Sequence, residues 1–147
     1  MDTKIKDYIS KQSADRQGIL ADIHGIIIDK DKTVIATMEP MMGKEMMMYK
    51  AKGMMKYALS SVKKYISLHC LPIYGSPVLY NKYKELLPNA NFQKGCINFT
   101  SADQMTLNIV KQLFAECSAI DLVKMREEYL KQKKDKAINK KNGKVKN

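Results

Sequence analysis

Eight of the eleven methionines lie between Met38 and Met55, in MEPMMGKEMMMYKAKGMM. Thioether sulfur suits Cu(I), and Met38-x-x-Met41 and Met46-Met47-Met48 have a superficially fitting spacing. Direction works against a metal centre. If Lys52-Gly53 closes a two-residue hairpin, glycine supplies the positive φ and the strands alternate. Met46, Met48, Lys50, Met55, Tyr57 and Leu59 then share one face, and Met47, Tyr49, Ala51, Met54, Lys56 and Ala58 the other. The run is thereby divided, which favours packing over a compact three-thioether site. The first face is the better core. The second, mixed face is predicted to border a groove for a small apolar or anionic ligand or a partner segment, because methionine re-packs around varied ligands. Met47, Tyr49, Met54 and Lys56 are its candidate binding residues.

His24 and His69 are the only histidines. His24 follows Ile23 on a helical apolar stripe and reads as a hydrogen-bonded structural residue. His69 alternates with Ile66, Leu68 and Cys70 and should point away from them, beside Tyr65 and Ser67. That makes it a candidate ligand or proton carrier. Its neighbour Cys70 faces the opposite side, so these two cannot form a Cys-His dyad. Lys63, Lys64 and Lys94 could gather an anion, against the simpler reading of a solvated lysine face. Cys70, Cys96 and Cys117 form no CxxC pair and are expected to be reduced and mostly buried. The chain has no glycine-rich phosphate loop, GxSxG elbow, HExxH or paired carboxylates.

These residues need elements to hold them. Ile5, Tyr8 and Ile9 predict a short amphipathic helix, and Ile19, Leu20, Ile23, Ile26 and Ile27 a longer one. MMMYKA, MMKYALSS and KKYISLHCL read as strands. Ser76-Pro77 is a helix start, with an N-cap and proline at the first helical position. GCINFTS reads as a further strand. Ser101 and Gln104 have capping-box spacing before a helix lined by Leu107, Val110 and Phe114. A last helix is predicted from near Ser118, running into lysine.

A length of 147 residues fits one domain. The net charge of +11 suggests nucleic acid until it is located. Lys131 to Asn147 holds eight lysines and one acid, giving +7; the other 130 residues carry 18 bases and 14 acids, giving +4. A domain over 1–130 and a lysine-rich tail over 131–147 follow, with disorder expected beyond about residue 135. Without aromatics or arginine the tail offers salt-dependent, nonspecific nucleic-acid attraction at most. No run approaches the roughly 18 apolar residues of a membrane helix, and no leader is legible, so no membrane partner and a cytoplasmic location are expected.

The segments MYKAKGMMKYALSSVKKYISLHCLPIYG and YKELLPNANFQKGCINFTSADQM resemble the YdhG-like family, small bacterial domains mostly of unknown function. The resemblance covers roughly Ile5 to Leu130, and KKYISLH and KGCINF are its most specific pieces. It implies an α+β fold, with an antiparallel sheet packed against N- and C-terminal helices. Where many relatives carry an aromatic-Gly-Met-Pro turn, this chain has Met42-Gly43-Lys44-Glu45. Some members are described as frataxin-like iron chaperones, which implies iron with Glu39, Glu45 and His69 as ligand candidates. The residues themselves lean towards a non-enzymatic module binding a small molecule or protein segment. The alternatives are iron chaperoning and an enzyme built on His69.

Overall fold

The computed structural model describes residues 2–146, with side-chain surroundings for 2–138. Asp2 caps the first helix, α1 (Thr3–Ser10), by accepting the Lys4 N–H at 2.8 Å. In α2 (Ala14–Lys30), all five residues of the predicted apolar stripe are buried. The chain then runs through β1 (Ile35–Met41), β2 (Lys44–Ala51), β3 (Met54–Ser61) and β4 (Ile66–Cys70). A single turn of helix, α3 (Leu71–Tyr74), precedes α4 (Pro77–Leu86), which opens as predicted with Ser76 Oγ accepting the Leu79 N–H at 3.3 Å. Strands β5 (Asn91–Gln93) and β6 (Cys96–Phe99) lead to α5 (Leu107–Ser118) and α6 (Leu122–Lys146).

The six strands form one antiparallel sheet in the order β1-β2-β3-β4-β6-β5. The protein is therefore α+β, with helices at both ends of the chain. Two tight turns build the first three strands. Lys52-Gly53 closes β2–β3 as predicted, with φ of 52° and 78°. Met42-Gly43 closes β1–β2 with φ of 53° and 80°, the paired left-handed residues that two-residue hairpins require.

The face assignment needs correction. Tyr49 pairs with Tyr57 but Lys50 pairs with Met55, leaving Lys56 as an extra residue opposite the Tyr49/Lys50 step. This bulge reverses the alternation of β3 relative to β2. Met47 and Tyr49 lie opposite Leu59 and Tyr57, and all four are fully buried in the main core with residues of α1, α2 and α5. Tyr57 meets Phe114 edge-on at 4.9 Å, a geometry worth about 0.5–1.5 kcal/mol beyond the buried area. Met46, Met48 and Ala58 form a second cluster on the other face, flanked by Met41 and Met55. Tyr57 and Leu59 thus do not join the Met46–Met48 face, and the Met47–Tyr49 face is interior.

Two helix starts differ from expectation. Ser101 opens only a 3-10 turn, Ala102–Gln104, while Gln104 Oε1 accepts the Thr100 N–H at 2.8 Å; α5 begins after Thr106. The last helix begins at Leu122 rather than near Ser118 and continues to Lys146, where the sequence predicts a disordered tail. Lysine is a good helix former, but every side chain from Arg126 to Ile138 is exposed; those from 139 onward lie outside the described residues. Among the described residues, no helix is long and apolar enough to cross a membrane.

Candidate functional site

The face opposite the helical core carries the polar chemistry. Its register sets two rows across the sheet: Met48, Ala58, His69, Cys96 and Gln93, and beside it Ser60, Ser67, Asn98 and Asn91. Alternation predicts the orientation of His69. Its partner, Cys96, comes from β6, with Cys96 Sγ 3.0 Å from His69 Nδ1. Burial holds the His69 imidazole below its usual 6.5. Burial raises the Cys96 thiol above its usual 9.0, and a Ser67 hydrogen bond offsets part of that rise. The resting pair is a neutral thiol beside a neutral imidazole.

Next to this pair, at the β5–β6 end of the same face, is a cavity of about 270 Å³. Five of its eight lining residues are carboxamides: Asn89, Asn91, Gln93, Asn98 and Gln104. None of the eight is charged, in a chain that is 28% charged. Asn98 Oδ1 is buried with no hydrogen-bond partner among the described residues. Tyr65, 37% exposed, adds an aromatic surface.

Other predicted site residues are dispersed. Met47 and Tyr49 lie in the core, where the Tyr49 hydroxyl meets buried His24 Nδ1 at 2.7 Å. Met54 is half-buried at the hairpin end. Lys56 is turned inward by the bulge onto Asp31, at 2.8 Å. Asp31 also accepts from the Tyr57 hydroxyl at 2.7 Å and the Thr33 N–H at 3.0 Å. Burial alone would raise the Asp31 carboxyl, but these donors hold it below its usual 3.8. Lys56 and Ala51 border a smaller cavity of about 120 Å³ between the β2–β3 turn and the α5–α6 junction, though the Lys56 ammonium is committed to Asp31. Lys63 and Lys64 are exposed between β3 and β4, and Lys94 is exposed in the β5–β6 turn.

The residues suggested for iron do not fit a metal centre. Glu39 has one carboxylate oxygen on Lys50 at 2.7 Å and the other on the Thr37 hydroxyl at 2.6 Å. Glu45 is exposed at the start of β2, and two strands separate Glu39 from His69. Among the described residues, no three of His, Cys, Asp and Glu gather as a metal site.

Sequence reasoning missed Cys96, Asn98 and the cavity amides. The alternation of GCINF does place Cys96 and Asn98 on one face. Which strand lies beside them depends on the β4–β6 pairing, formed across an intervening helical segment. No family model, curated protein or solved structure matches the chain.

Proposed function

We propose that this protein is a binding module for a small, neutral, polar ring ligand seated in the amide-lined cavity over β5 and β6. The observation that carries this reading is Asn98 Oδ1, a buried acceptor without a partner. A buried group left unpaired costs about 1–3 kcal/mol, and a ligand O–H or N–H would recover that cost once the amide turns its oxygen into the cavity. The uncharged lining argues for a neutral ligand: a phosphate or carboxylate would lose hydration without gaining a counter-charge. Carboxamides offer donors and acceptors side by side, which suits hydroxyls or amide edges. A volume of about 270 Å³ lies just below the usual range for ligand sites and suits a single ring lying against Tyr65.

The segments that carry the YdhG-like resemblance support this location. KKYISLH leads into β4 and KGCINF forms the β5–β6 turn and β6, and these two strands are paired. Side-chain amide signals in ¹⁵N-edited spectra, titrated with neutral monosaccharides and nucleosides, test the reading. Shifts at Asn91, Gln93 and Asn98 with one class and none with their phosphorylated forms are expected. Stronger shifts with the phosphorylated compounds, or amides that stay still with every compound, would sink it.

A further inference from the structure

The geometry points to Cys96 and His69 as a nucleophile and general base for acyl transfer, with a neutral ester or thioester as the substrate class. The inference rests on the binding reading, which seats the acyl donor beside the pair. Three observations carry it. Cys96 Sγ and His69 Nδ1 are 3.0 Å apart on neighbouring strands, within the reach of a thiol and its base. Both residues are half-buried, unlike the fully buried Cys70 and Cys117. Two residues of the cavity lining adjoin Cys96 on the same face: Gln93 lies opposite it in the β5–β6 register, and Asn98 is two residues along β6.

The chemistry closes without a further co-reactant except water. Cys96 Sγ attacks the carbonyl carbon as its proton passes to His69 Nδ1. A carbon–sulfur bond forms, and the bond to the leaving oxygen or sulfur breaks. The proton on Nδ1 then goes to the leaving group, which departs as an alcohol or thiol. Water attacks the acyl-cysteine with His69 taking its proton, the carbon–sulfur bond breaks, and the thiol is re-protonated. The Gln93 carboxamide supplies an N–H donor on this face for the carbonyl oxygen as it gains charge. Around the pair, β3 presents Ala58 and Ser60, β4 presents Ser67, β6 presents Asn98 and β5 presents Gln93. None of these titrates near neutrality, so the pair ionises without a charged neighbour in its register.

The test is acetylation of the full chain by p-nitrophenyl acetate, read by intact mass and peptide mapping. A single acetyl group on Cys96, absent from Cys70 and Cys117 in the core, is expected. His69→Asn should slow acetylation by roughly 10²-fold or more, and Cys96→Ser should abolish it while keeping a native circular-dichroism spectrum. The pH profile separates a dyad from an ordinary thiol. With His69 as base, the rate rises through an ionisation below 6.5 and then levels. An unassisted thiol would instead keep gaining rate, about tenfold per pH unit, until it ionises above its usual 9.0. Equal rates in His69→Asn, a profile that keeps climbing from 6.5 to 9.0 without levelling, or acetyl groups confined to lysines would overturn the proposal. Acetylation is read by mass and ligand seating by amide shifts, so either can fail alone.

Discussion

Lys56 and Asp31 form an ion pair at 2.8 Å with side chains only 1% and 0% exposed. The pair exists because the bulge at the Tyr49/Lys50 step leaves Lys56 unpaired and turns it towards Asp31, just past the end of α2. Asp31 accepts from three residues, Lys56, Tyr57 and Thr33, which is how a buried carboxylate is tolerated. Lys56→Met should destabilise the fold by about 3–5 kcal/mol, because it leaves that carboxylate without its cation. Lys56→Met combined with Asp31→Asn should recover most of the loss, since Asn still accepts from Tyr57. Urea denaturation measures both. A double variant no better than the single one would show that the ion pair is not what Lys56 contributes.

The bulge also marks the limit of what the residues reveal. Lys52-Gly53 and Ser76-Pro77 are legible because a turn or a cap is decided by two or three adjacent residues. The α2 stripe is legible because five isoleucines and leucines repeat on one face. One extra residue in β3 leaves no compositional trace, yet it moves Tyr57 and Leu59 to the opposite face of the sheet from the one strict alternation gives. The candidate site is half legible in the same sense. Alternation orients His69 correctly, whereas its partner Cys96 and the cavity amides arrive through a long-range register.

Both histidines give the fold a pH dependence. Burial holds His24 and His69 below the ordinary 6.5. The unfolded chain therefore binds protons more readily, and stability rises with pH through this range. It should be complete above about 6.5 and fall as pH drops below that value, before the carboxylates titrate near 4. Thermal melts between about pH 7.5 and pH 5 measure it, and His24→Gln with His69→Gln should flatten the curve. Tyr49→Phe, which removes the partner at 2.7 Å from His24 Nδ1, should cost about 1–2 kcal/mol at neutral pH. A melting temperature independent of pH in this window would contradict the burial of both rings.

Gly95 sets the approach of the β5–β6 turn to α3. A Cβ there would stand 2.9 Å from the Tyr74 Cβ, an atom too close to the backbone to swing aside. The Gly95 carbonyl also accepts the Cys70 N–H at 2.7 Å, tying this turn to the end of β4. Gly95→Ala should therefore displace the turn and destabilise the fold by about 1–3 kcal/mol, as overpacking does. Because Cys96 is the next residue, its contact with His69 should lengthen as well. Thermal melts read the first effect, and the rate of Cys96 alkylation by iodoacetamide reads the second. An unchanged melting temperature would mean that Tyr74 can retreat at no cost.

Asn98 separates a binding residue from a structural one by the sign of a single substitution. If Asn98 served the fold, replacing it would remove a useful hydrogen bond and lower stability. Its Oδ1 instead has no partner among the described residues, so Asn98→Leu, which is similar in volume, should relieve a desolvated acceptor. Stability without ligand should rise by about 1 kcal/mol, while the ligand that shifts the Asn91 and Gln93 amides should no longer bind. Such opposed changes are expected where a site holds an unpaired group in readiness for a partner. Urea denaturation gives the first quantity and amide titration the second. A destabilised Asn98→Leu, or one that binds as well as the parent chain, would place the ligand elsewhere on the protein.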